Sequence, residues 1–225
     1  MQKIFLTLVA VILFACSTAM AQSSPQWVKN LPAAKNAAQL IVVAGIRGST
    51  AWVSMHEKDS AGQWQQIMTT PGFIGRNGLG KVREGDGKTP VGTFKFNCAF
   101  GIAPDPGCAI PYVQVGQTHY WSGDENYKYN QLVDGREAHA NFDKSASEHL
   151  IDFKTAYNYA LNINYNSDGT PGKGSAIFMS CFGDDKPWTG GGIALPADKM
   201  LFVMQHIKAD CVCVIDSLES LGGSL

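Results

Sequence analysis

The strongest constraint on the fold is punctuation: short alternating or apolar runs recur along the chain, cut apart by Gly, Pro, Asn and Asp clusters. Residues 50–57 (TAWVSMHE) alternate, with Trp52, Ser54 and His56 on one face and Val53 and Met55 on the other. Residues 59–62 then turn the chain into 63–70, which is the pattern of a β-hairpin. Further strands are expected over 40–44, 91–97, 159–164, 174–181 and 211–216. One segment has helical periodicity, 196–208, with Pro196 suited to the first helical position and Asp198 favourable in the first turn. Its apolar stripe is Met200, Val203, Met204 and Ile207. The expected class is therefore mainly β, of α+β type, with one packed helix near 196–208.

Residues 1–21 read as a cleavable signal peptide. Lys3 supplies a positive charge, and residues 4–15 (IFLTLVAVILFA) are apolar but short of the roughly 20 residues a bilayer span needs. Ala19-Met20-Ala21 places small residues at the cleavage site. A lipoprotein cut before Cys16 is the alternative, disfavoured by bulky Phe14. Export to the periplasm, cell wall or medium is thus expected, with a lead-in at 22–38, a domain at 39–217 and a tail at 218–225. The formal net charge is −1, with no basic run, which argues against nucleic acid as a partner.

Five cysteines follow the signal segment: Cys98, Cys108, Cys181, Cys211 and Cys213. In an oxidising compartment an odd number leaves at least one unpaired within the chain. Cys98 and Cys108 flank a Gly/Pro loop that could bring them together. Cys211 and Cys213 share one face of a strand and do not suit each other, which leaves Cys181 as a partner for either. No Cys-x-x-Cys and no histidine pair has metal-ligand spacing, so neither a metal nor a cofactor is expected. The Gly87-Lys88-Thr89 tripeptide is not a phosphate loop, because that motif needs a glycine where this chain has Val82.

EGDGKTPVGTF (84–94), AFGIAPDPG (99–107), WSGDENYKYNQLVD (121–134), SEHLID (147–152) and GSAIFM (174–179) occur in an order and spacing that resemble the catalytic domain of L,D-transpeptidases, the YkuD-like family. With TGGGIALP (189–196), the resemblance spans about 40–216. It implies a twisted mixed β-sandwich with a helix on one side, and acyl transfer on peptidoglycan stem peptides through a thiolate cysteine, a histidine and backbone N–H donors.

The chain departs from that pattern where chemistry would occur. Ser180 stands where the resemblance implies the histidine, and Gly192 where it implies the cysteine. Two residues are candidate substitutes: Cys181 as nucleophile and His149 as base. Strand alternation points Cys181 away from the cleft if Ser180 points into it. Ser180 itself lacks a neighbouring base in sequence. The expected substrate-binding set is Ser180, Thr189, Gly190, Gly191 and Gly192, with the glycine N–H groups forming an anion-holding concavity. The sequence thus predicts a peptidoglycan-binding protein with impaired catalysis, or a transpeptidase or peptidase working through Cys181.

Overall fold

A computed structural model describes residues 22–138, 140–183 and 186–224; the expected signal segment, with Cys16, lies outside the described residues. The strands are β1 (Gln22–Ser23), β2 (Gln39–Arg47), β3 (Thr50–Lys58), β4 (Trp64–Phe73), β5 (Gly92–Phe94), β6 (Phe96–Gly101) and β7 (Tyr112–Gln114). They continue with β8 (His119–Trp121), β9 (Leu132–Asp134), β10 (Glu148–His149), β11 (Ala160–Ile163), β12 (Phe178–Cys181), β13 (Ile193–Leu195) and β14 (Val212–Ser217). Among the described residues two α-helices, α1 (Gln26–Lys29) and α2 (Ala197–His206), accompany them. The class is mainly β with α+β character, as the strand-and-turn pattern predicts.

The main sheet runs β5-β14-β2-β3-β4-β13-β12-β11-β6-β7, with β1 on β4, and a small second sheet runs β10-β8-β9. It is mixed: β2 pairs antiparallel with β3 but parallel with β14, and β12 parallel with β13. Residues from distant strands share one core, including Cys213 and Ile215 of β14, Val53 and Met55 of β3, Leu161 of β11 and Met179 of β12. The strands of this sheet therefore enclose one shared core. Lys95 makes one corner. Its N–H donates to Asn164 Oδ1 at 2.8 Å, and its carbonyl accepts from the Asn164 N–H at 2.9 Å. The expected strand at 91–97 is accordingly split: β5 pairs with β14 and β6 with β11.

β2 explains why its sequence is almost continuously apolar. Ile41 and Val43 face the main core, while Leu40, Val42 and Ala44 face a second one built with Val28, Leu31, Ala34 and Leu221. The lead-in and the tail thus cover the outer face of the sheet, a fully buried strand needing apolar residues on both sides. α2 closes the main core with Met200, Val203, Met204 and Ile207. It is shorter than expected, because Ile207 turns to an extended conformation and Pro196 sits before the first helical residue as its cap. The strand expected from 174 begins only at Phe178, since positive φ at Gly174 (120°) and Ala176 (54°) breaks the pleat.

The five cysteines among the described residues are free thiols. The pairing entertained for Cys98 and Cys108 is not formed: Cys98 packs against the cluster of Phe100 and Trp121, whereas Cys108 packs against the main core. Cys181, Cys211 and Cys213 are buried in that core without a bond between them.

The polar face of β3 is buried too. His56 is fully buried, with Nδ1 2.9 Å from Ser24 Oγ and Nε2 2.7 Å from Ser54 Oγ. Burial lowers its pKa from 6.5 to about 4. The unfolded chain therefore takes up this proton before the folded one does. Stability held above about pH 6.5 should be lost as pH falls towards 4, by about 3 kcal/mol in all. Urea unfolding across that window should show this slope, and His56→Gln should flatten it; equal slopes in the two proteins would refute the assignment.

Candidate functional site

A cleft of about 540 Å³ opens beside β12 and the start of β13. Ser180, Thr189, Gly190, Gly191 and Gly192 all line it, so the chain brings the expected binding set together. The segment from Thr189 to Gly192 is a pinned turn. Thr189 N–H donates to the Ile74 carbonyl at 2.9 Å, and the Thr189 carbonyl accepts from Arg76 N–H at 3.0 Å. The Thr189 hydroxyl accepts from Gly191 N–H at 3.1 Å and donates to the Gly192 carbonyl at 2.6 Å. The same carbonyl accepts from Thr89 Oγ1 at 3.2 Å, and Thr89 Oγ1 accepts from Gly75 N–H. This is the structural task of the Gly87-Lys88-Thr89 turn. Because the Gly191 N–H is committed within the loop, the three glycines do not present three free donors.

Two of these glycines are required by geometry. Gly191 has φ of 150°, a value that side-chain-bearing residues rarely adopt. At Gly192 a Cβ would lie 2.5 Å from the Phe178 carbonyl oxygen and 3.2 Å from the Phe178 nitrogen. The backbone of β12 therefore occupies the space that a cysteine side chain at position 192 would need.

The pleat of β12 sorts its side chains. Met179 and Cys181 belong to the main core, while Ser180 lies on the alternate face with Phe178, towards the cleft. Cys181 borders the cleft but is 1% exposed; its thiol contacts the Tyr159 carbonyl at 3.8 Å, and burial raises its pKa. A buried thiol held in its protonated form is a poor nucleophile. Ser180 is 8% exposed, and its hydroxyl hydrogen-bonds to no described residue.

His149, the candidate base, is not among the residues lining the cleft. Its Nδ1 is 3.0 Å from Asp152 Oδ2, its Nε2 is 2.8 Å from the Gln117 carbonyl, and its ring stacks on Tyr120 at 4.6 Å. The reason is alternation along β10: Glu148 lines the cleft, and the next side chain, His149, goes to the face of its partner strand β8.

Several cleft residues escaped the sequence reading. Lys81 lines the cleft and pairs with Asp86 at 3.0 Å, both side chains being buried. Burial alone would raise the Asp86 carboxyl, but the N–H groups of Val82 and Lys88, the Lys81 ammonium and Arg83 N–H outweigh it and hold it well below the usual range. Glu84 accepts from Ser175 Oγ at 2.8 Å and from the Tyr129 hydroxyl. Glu148 accepts from the Tyr157 hydroxyl at 2.6 Å; burial raises its pKa, the Tyr157 bond opposes this and the Glu84 charge adds to it. Asn130 holds the strained Ala176, accepting its N–H at 3.0 Å, and also accepts from the Trp121 indole at 2.9 Å. Its amide donates to the Tyr165 and Asn166 carbonyls, so every group on this buried side chain has a partner.

Gly192→Cys should consequently lower stability by about 1–3 kcal/mol through overpacking against Phe178. Thermal melting of the purified variant measures this, and an unchanged melting temperature would mean that the β12 backbone yields freely.

No protein-family model matches the chain, and no curated protein matches it significantly. Among solved structures it is similar to the helical cell shape determining protein Pgp2 from Campylobacter jejuni and to a point mutant of the same protein. Sequence identity is 16% in both, with TM-scores of 0.41 and 0.40 over 80% of this chain. The chain spans about half the length of those structures, 48% and 47% respectively.

Proposed function

We propose that this chain is an exported cell-wall protein of L,D-transpeptidase type that binds peptidoglycan stem peptides in its cleft without forming an acyl-enzyme. One observation carries the proposal: two residues that line the cleft, Ser180 and Gly192, stand where the resemblance implies histidine and cysteine. Covalent acyl transfer needs a thiolate or a base-activated hydroxyl. Cys181 has a buried, protonated thiol, and Ser180 has no base bonded to it. What remains suits recognition. Residues 189–192 are preorganised by hydrogen bonds, which reduces the ordering cost of binding. Further support comes from the signal-like segment at 1–21, which would deliver the chain to the compartment where stems are exposed. No helix among the described residues is long and apolar enough to cross a membrane.

The test pairs two measurements on the purified protein. Sedimentation with purified sacculi should retain it, and intact mass after incubation with a carbapenem, an acylating analogue of the acyl donor, should be unchanged. Failure to sediment with sacculi would contradict the proposal, as would a stoichiometric adduct mapped to Cys181, which would establish a relocated nucleophile.

A further inference from the structure

Away from the cleft, the lead-in meets the main sheet through a polar seam. His56 sits there, fully buried, between the hydroxyls of Ser24 and Ser54. In a neutral imidazole one nitrogen donates and the other accepts, and two hydroxyls suit both. A protonated ring has only donors, and here no neighbour offsets its charge. Opposite it stand Leu40 of β2 and Gln66 of β4; β4 has no charged side chain, and Arg47 of β2 is at the far end of the ladder, opposite Thr50. On its own strand Glu57 points to the other face and pairs with Lys208 at 3.1 Å, while Lys58 lies over the Trp64 ring. In the turn to β4, Asp59 accepts from Ala61 N–H, Gln63 N–H and the Gln65 amide. The charged residues of the lead-in are both cations, Lys35 and Lys29, which donates to Ser23 Oγ at 2.9 Å.

What covers the ring is slight. β1 pairs with β4 over two residues, Gln22 with Gln66 and Ser23 with Gln65, and Ser24 N–H donates to the Trp64 carbonyl at 3.0 Å. Both residues of β1 are exposed. A second feature marks the seam as imperfectly closed: Thr69, opposite Ser54, has a buried hydroxyl oxygen without a partner. We propose that residues 22–24 are an acid-driven latch: protonation of His56 lifts Ser24 and β1 from the edge of β4 while the core stays folded. Hydrating the charged ring requires this segment to move, not the sheet, and short exposed segments open at a fraction of the global free energy. The rest of the lead-in stays in place through Val28, Leu31 and Ala34, packed in the outer core. Opening bares the backbone of β4 at Gln65 and Gln66, an unpaired edge onto which another strand can add.

Amide hydrogen exchange on the purified protein, corrected for the intrinsic pH dependence of exchange, reads the latch at Ser24 N–H and global unfolding at Val43 and Ile215 in the main core. Protection at Ser24 should fall about tenfold per pH unit between about pH 6 and 4, as one proton taken up on opening demands. Across that range it should stay at least about tenfold below protection at Val43 and Ile215. His56→Gln, which keeps hydrogen-bonding capacity but does not titrate, should make the Ser24 protection independent of pH. Equal protection at Ser24 and the core positions would mean that only global unfolding exposes the ring, and would overturn the latch. So would a Ser24 profile that is flat in the wild type or unchanged in His56→Gln. A further reading needs no variant: the His56 ring resonances of the wild type should titrate together with the Ser23 and Ser24 amide shifts, and a ring that titrates without moving them would equally overturn it.

Discussion

The closest constraint on the site is a contact between two main chains. The Gly192 backbone lies against that of Phe178 so tightly that even a methyl group at position 192 would collide with it. The approach is held from both sides: β12 pairs with β13 directly after this point, and the hydroxyls of Thr89 and Thr189 both donate to the Gly192 carbonyl. Glycine at 192 is therefore part of how the cleft floor is built. A cysteine at that position would require the strand to move first.

The surrounding polar groups divide into two kinds. The Lys81–Asp86 pair and Asn130 are fully engaged, and they serve the scaffold by fixing the 82–88 turn and the strained backbone at Ala176. Strain of this kind persists only where neighbours over-determine it, and here it shapes the rim of the cleft. Glu84, Glu148 and Ser180 are different, because they retain capacity that the protein itself does not use. A rigid frame with unspent charge and hydrogen-bonding capacity is what noncovalent recognition asks for.

Much of the fold was legible because it follows from local periodicity. The 50–70 hairpin, the apolar run of β2 and the stripe of α2 each have a pattern that survives in the structure. What was illegible depended on long-range partners. Lys95 splits a strand because Asn164 captures its backbone, and His56 is buried because Ser24, in a segment that reads as a loose lead-in, closes over it. The residues at 180 and 189–192, singled out through the spaced motifs, come together along one cleft. His149 stood out because histidines attract chemical attention, whereas its neighbour Glu148 is the one that enters the cleft. Period-2 alternation carried the signal for that choice, but β10 is two residues long and shows no period by itself.

Amide chemical-shift mapping during titration with soluble muropeptides tests the central claim most directly, because it reports both occupancy and place. Perturbations should concentrate at Ser180 and Gly190 to Gly192, with slower-shifting core residues such as Val53 and Leu161 unaffected. They should also reverse completely on dialysis, as noncovalent binding demands. Saturating peptide that leaves the cleft residues unshifted, or a bound species that survives dialysis and denaturation, would contradict a noncovalent wall-peptide site.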